Sequence, residues 1–182
     1  MHKSSYKIMQ RFRDDYVAGI PGGDITILDV GSLDINGSYR SLFDEVKFSY
    51  YGLDTSPGKN VDIELVNPYN WGSLMNDIFD VVISGQAFEH IEFFWITMSE
   101  MVRVLKKGGL MCLVAPIGFK EHRYPVDCWR FLSDGMVALG KWCSLEIIEA
   151  YTKKPDSVLI ARKNYSGKTR YFKTENYHGK IV

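Results

Sequence analysis

Four short apolar runs constrain the fold of this chain most: "DITILDV", "FSYYGLD", "FDVVISG" and "LMCLVAP". Each reads as a buried strand, and each stops at a residue suited to a tight change of direction. Helical spacing fills much of the rest. Tyr6, Met9, Phe12 and Tyr16 share one face of a helix that Ser5 can cap and that runs to about Val17. "SYRSLFDEV" reads as a short helix with Tyr39, Leu42, Phe43 and Val46 facing inward. A helix from Glu92 to Lys106 places Phe94, Met98, Met101, Val102 and Leu105 along one side. Lys106 and Lys107 suit its negative end, and Gly108 and Gly109 stop it. Ser133 starts another helix, to Trp142. "VDIEL" adds a short strand, and "SLEIIEAY" and "DSVLIARK" are two strands joined by a turn around Pro155.

Strands alternating with helices predict an α/β fold whose mostly parallel sheet carries helices on both faces. The closing strand pair has too short a connection for a parallel crossover, so it is expected to be antiparallel. In such sheets ligands bind beyond the carboxyl ends of the strands. This places Gly31, Asp54, the stretch Ser84 to Gln86 and the stretch Ala115 to Ile117 around one crevice.

The length of 182 residues suits a single domain over 1–182, with an N-terminal helix in 1–20 and a polar tail in 164–182. The helix and tail could cover the crevice or make a homodimer contact. Lys and Arg balance Asp and Glu at 22 each, which gives no electrostatic reason to expect nucleic acid or an anionic membrane as partner. No apolar run is long enough to span a bilayer, and the start lacks the apolar core of a signal peptide. Three cysteines without a CxxC pair support neither a disulfide framework nor a zinc site. Reduced thiols, no metal and a cytoplasmic location are expected.

The loop in "ILDVGSLDINGS" narrows the ligand. A dinucleotide pyrophosphate needs several glycines for close backbone approach, and here only Gly31 and Gly37 are present. No GK[ST] follows, so a phosphate loop is absent. Asp34 would repel a phosphate unless it pointed away. A nucleoside without a phosphate, and carrying positive charge, fits better. S-adenosylmethionine has both properties. Asp54, about 20 residues beyond the loop and at the end of the adjacent strand, can accept hydrogen bonds from both ribose hydroxyls. Read alone, it also suits the start of the turn "DTSPG".

"ILDVGSLDINGSY", "YYGLDTSPG", "FDVVISGQAFEHIE" and "RVLKKGGLMCLVAP" occur together in the order and spacing of one family. From Asp24 to Lys163 the chain resembles the class I S-adenosylmethionine-dependent methyltransferases. The resemblance implies a Rossmann-like seven-stranded sheet in the order 3-2-1-4-5-7-6, with strand 7 antiparallel. It implies that Asp29, Gly31 and Ser32 lie along the methionine part of S-adenosyl-L-methionine, and that Asp54 and Thr55 hold the ribose. Asp62 to Leu65 and Asn67 would lie near the adenine, with Ser84, Gly85 and Gln86 lining the methyl-transfer zone. The chain departs from the family in lacking the third glycine of the first loop. Its helix between strands two and three is also shortened to "TSPGKN".

The segment "FKEHRYPVDCWRF" follows the fifth strand, where the crevice opens. Tyr124, Asp127, Trp129 and Arg130 offer polar handles on an aromatic frame, suited to a small hydroxylated acceptor. Trp129 also suits a core position, and Arg130 can simply pair with Asp127. Similar small methyltransferases carry a comparable stretch, which implies O-methylation of a metabolite or glycan precursor. His122 is the first candidate for a base that takes the acceptor proton, and His90 the second. Two other readings stay open: a catalytically silent domain that acts through partners, and a dehydrogenase of the NAD type, against which the glycine-poor loop argues.

Overall fold

A computed structural model describes residues 2–164 of the chain. The polar tail lies outside the described residues from 165 onward. Seven strands form one sheet: β1 (Ile25–Val30), β2 (Phe48–Asp54), β3 (Ile63–Glu64), β4 (Phe79–Gly85), β5 (Leu105–Pro116), β6 (Glu146–Lys153) and β7 (Asp156–Arg162). Their order is β3-β2-β1-β4-β5-β7-β6. Strands β1 to β5 pair in parallel, and β7 runs antiparallel to both β5 and β6. The expected order and the expected direction of strand 7 are both observed.

The central strands β1 and β4 and the second half of β5 are almost wholly apolar because both faces are covered, whereas the edge strand β6 is mixed. Adjacent Ile27 and Leu28 are each fully buried, against opposite faces. On one face α1 (Lys3–Phe12) packs Ile8, Met9 and Phe12 over Ile27, Val81, Ile83 and Cys112. On the other, α2 (Phe94–Val104) and α3 (Ser133–Trp142) pack Met98, Met101, Met136 and Leu139 over Leu28, Val82 and Leu113. No helix among the described residues is long and apolar enough to cross a membrane.

Three expected elements differ. Ser5 does not cap α1, which begins at Lys3 and changes to a wider π-turn over Arg13–Val17. Ser5 lies buried in the first turn, where its hydroxyl meets that of Tyr39. A tertiary partner has taken the group that a cap would use. The helix expected over "SYRSLFDEV" is a single 3-10 turn, Arg40–Phe43, and Val46 is fully exposed instead of inward. Finally, α2 ends at Val104 and the chain passes directly into β5, so Lys106 to Gly109 belong to a strand. This stretch is an irregularity in β5 between Leu105, which pairs with Phe79, and Leu110, which pairs with Val81. Gly108 N–H donates to Lys163 O at 2.8 Å and Lys106 Nζ meets Asp80 at 2.8 Å, and these long-range contacts outweigh helix propensity there.

Gly85 ends β4 against the buried ring of Tyr39. A Cβ at this position would collide with the Tyr39 hydroxyl and ring edge. Gly85→Ala should therefore destabilise the chain by about 1–3 kcal/mol, the usual cost of overpacking, read as a lower urea midpoint with an unchanged slope.

Candidate active site

The site builds up where the central strands end. Beyond β1 the backbone turns at Gly31, which has φ +77°, and a Cβ there would collide with that of Ala87. Only glycine lets the β1 loop and the chain leaving β4 approach this closely. The N–H groups of Gly31 and Ser32 then donate to Leu53 O at 2.9 and 3.1 Å. Asp54, at the tip of β2, accepts from Leu33 N–H at 3.0 Å on one oxygen and from Ser56 N–H at 3.1 Å on the other. One carboxylate thus fixes both loops. Each of its oxygens has a second lone pair for a further donor, as two neighbouring hydroxyls of a ribose would supply.

The short segment after β2 is fastened to the first loop. Asn60 donates through Nδ2 to Ser32 O at 2.8 Å, and Ser32 Oγ donates to Asn60 O at 3.1 Å. Arg40 reaches Asn60 Oδ1 at 2.6 Å and also pairs with Asp62. Asp34 faces Lys59 at 2.7 Å and accepts from Gly37 N–H at 2.7 Å. Lys59 and the Gly37 amide hold its carboxyl below the usual range. The acid of the loop is neutralised locally.

Asp29 is buried. The Tyr50 hydroxyl donates to its Oδ2, and Oδ1 has no hydrogen-bond partner among the described residues. Burial pushes this carboxyl up to about 7, against the opposing pull of the Tyr50 hydrogen bond. A positively charged group brought near Oδ1 would relieve that cost.

The other expected cofactor residues divide into two groups. Thr55 and Asn67 lie exposed on the loops after β2 and β3, where Asn67 Oδ1 accepts from Tyr69 N–H at 2.9 Å. Ser84, Gly85 and Gln86 are committed to the fold. Ser84 Oγ donates to Val30 O at 2.8 Å, Gly85 abuts Tyr39, and Gln86 Nε2 donates to Asp156 at 2.9 Å.

In the segment expected to meet an acceptor, the structure joins both candidate histidines. His90, on the 3-10 turn Phe88–His90 after β4, stands edge-to-face with His122, with ring centroids 5.0 Å apart. Tyr124, more than half exposed, lies against His90. Asp127 and Arg130 form a two-toothed pair at 2.5 and 2.7 Å, and Trp129 donates from Nε1 to Glu92 O at 3.1 Å. Arg130 is thus paired with Asp127, one of the two roles open to it. Asp127 also accepts from His122 N–H at 2.8 Å and so positions the histidine. Arg130 holds the Asp127 carboxyl well below the usual range.

Sequence reasoning missed Glu89, Tyr39 and Asn60. Glu89 is buried, Oε2 has no partner among the described residues, and burial pushes its carboxyl up to about 7. An acid beside a histidine in "FEHIE" was the available signal. A cavity of about 610 Å³ opens at the opposite end of the sheet, between Tyr16, Asp80 and Lys106. It contains none of the expected site residues.

A family profile described as "methyltransferase domain" matches residues 28–113. No curated protein matches the chain in sequence. Among solved structures it is similar to the CurJ carbon methyltransferase, with TM-score 0.70 and 12% identity over 89% of this chain and 55% of that one. The chain therefore spans little more than half the length of that relative. It is also similar to the Burkholderia thailandensis 1,6-didemethyltoxoflavin-N1-methyltransferase, solved with S-adenosylhomocysteine, with TM-score 0.68 and 12% identity over 89% and 79%. The [4+2]-cyclase SpnF matches with TM-score 0.68 and 14% identity over 87% and 80%. By fold, and by profile over residues 28–113, the chain is similar to the class I S-adenosylmethionine-dependent methyltransferases.

The buried Asp29 carboxyl makes a pH prediction. Between about 3.8 and about 7 the folded chain holds a proton that the unfolded chain has lost. Stability therefore falls as pH rises through that window and levels off above it. Asp29→Asn, which can still accept from Tyr50, should gain stability relative to the parent across the same window. Urea unfolding at a series of pH values reads the difference, and a flat difference would mean that Asp29 titrates normally.

Proposed function

We propose that the chain transfers a methyl group from S-adenosylmethionine to an oxygen of a small hydroxylated acceptor, a metabolite or glycan precursor. The observation that carries this reading is Asp54. It stands at the tip of β2 beside the Gly31 turn, held by two backbone amides, with accepting capacity left on both oxygens. A nucleoside sugar fits that geometry, and a phosphate does not fit beside the Asp54 carboxylate.

S-adenosylmethionine, when bound, supplies a methyl group on a positively charged sulfur. Asp54 and Thr55 would hold the ribose, and Asn67 the adenine side. Gly31 and Ser32 would lie along the methionine part, near the unpartnered oxygen of Asp29. The acidity of this loop favours a cation. The chain's main contribution is alignment of the acceptor, for which Tyr124 and Trp129 provide the frame. The Asp127–Arg130 pair holds that frame rigid, and His122 and His90 face the acceptor's hydroxyl end, where a proton must leave.

A catalytically silent domain is the second reading. It is favoured by the commitment of Gly85 and Gln86 to Tyr39 and Asp156. One experiment separates the two. S-adenosylmethionine or S-adenosylhomocysteine at about 100 times its Kd should stabilise the chain by about 2.7 kcal/mol, raising the Tm, while NAD should not. Asp54→Ala should lose about 1–3 kcal/mol of that affinity, the value of hydrogen bonds to a charged group. No Tm shift at saturating cofactor would favour the silent domain.

A further inference from the structure

Three side chains of metal-binding type converge on the acceptor side. Glu89 and His90 leave β4 on the 3-10 turn, and His122 comes from the irregular segment after β5. One ligand atom from each lies within 4.8 Å of the other two. The convergence is built into the fold. Cys128 and Trp129 both donate their N–H to Glu89 O, at 2.7 and 3.2 Å, which ties the irregular segment to the turn. Asp127, clamped by Arg130, anchors the backbone of His122.

The ring nitrogens are oriented for ligation. His90 Nδ1 lies 2.6 Å from Val126 O, so that nitrogen carries the proton and donates. Nε2 keeps its lone pair and faces Glu89 Oε1 at 3.7 Å. His122 Nδ1 likewise lies 3.1 Å from Lys120 O, which frees its Nε2. Backbone carbonyls that fix the far nitrogen are the usual support of metal-ligating histidines.

Glu89 provides a separate observation. It is 1% exposed, and Oε2 has no hydrogen-bond partner among the described residues. A buried, unpartnered carboxylate oxygen is costly. The neighbouring cation, Arg130, directs its N–H groups to Asp127, Trp129 O and Phe119 O instead.

We propose that Glu89, His90 and His122 form a binding site for one divalent transition-metal ion of the zinc type. Two imidazoles and one carboxylate are a known zinc set that leaves a position open. The site needs no cysteine, so the sequence argument against a zinc site does not reach it. His122 is exposed, which gives the ion an entry path and turns the open position outward. The role of the ion rests on the methyl-transfer reading: an acceptor hydroxyl bound at the open position would lose its proton more readily. The existence of the site does not rest on that reading.

The test uses the full chain, stripped with EDTA and titrated with Co2+ and with Zn2+. One Co2+ should bind with the visible d–d bands of a tetrahedral site, and Zn2+ should displace it. His122→Ala, a change at an exposed position, and Glu89→Gln, checked for native circular dichroism, should each weaken Zn2+ binding by more than about 100-fold, beyond the loss expected of an outer-shell partner. Absence of the d–d bands, or unchanged affinity in His122→Ala, would overturn the site. The Tm shift with S-adenosylmethionine is read separately on metal-stripped protein. A retained shift without metal binding overturns the metal site alone, and metal binding without the shift supports the site while the methyl-transfer reading fails.

Discussion

A strand that ends inside a covered sheet leaves backbone groups without ladder partners, and each must be satisfied within a few residues. At the carboxyl ends of β1 and β2 the solution is Leu53 O, which accepts from Gly31 and Ser32, and the Asp54 carboxylate, which accepts from Leu33 and Ser56. The site depends on this arrangement. It fixes where the first loop turns, brings Ala87 against Gly31, and thereby sets where the chain leaving β4 carries Glu89 and His90. Asp54 structures two loops and still has lone pairs to offer a further donor.

The strands were legible in the sequence because burial on both faces writes itself as unbroken apolar runs. The antiparallel closing pair was legible from the short turn at Pro155. Helix limits were harder to read, because the competing interactions are long-range. Ser5 has the chemistry of a cap but meets Tyr39 from a distant loop, and Lys106 and Lys107 look like a helix end but lie in the irregular start of β5, where Lys106 meets Asp80. The site was legible one residue at a time. Asp54 and Gly31 stand together as expected. The meeting of His90 with His122, and the buried state of Glu89 beside His90, depend on how the irregular segment folds back onto the turn after β4. No local pattern encodes that.

The fold by itself does not select the reaction. The same sheet order supports carbon and nitrogen methyltransferases, and SpnF, a [4+2]-cyclase, is similar over most of this chain. Function resides in the side chains placed at the strand tips. Here the first loop and its neighbours carry carboxylates whose charges are handled in three different ways. Asp34 is neutralised by Lys59, Asp54 is bound by backbone amides, and Asp29 is buried with one oxygen unpartnered.

That division bears on the choice of ligand. A buried carboxyl pushed up to about 7 sits at the balance point between its two charge states near neutral pH. A nearby cation tips it toward the carboxylate, and a nearby anion toward the acid. A cationic ligand thus gains from Asp29 an interaction that an anionic or neutral one does not, without a preformed charge having to be held in the core while the crevice is empty. The same logic holds at Glu89, whose Oε2 is unpartnered and whose Oε1 faces His90 Nε2 at 3.7 Å. Asp29 near the end of β1 and Glu89 on the turn after β4 are both buried and each short of one partner, and on the proposed readings each receives positive charge.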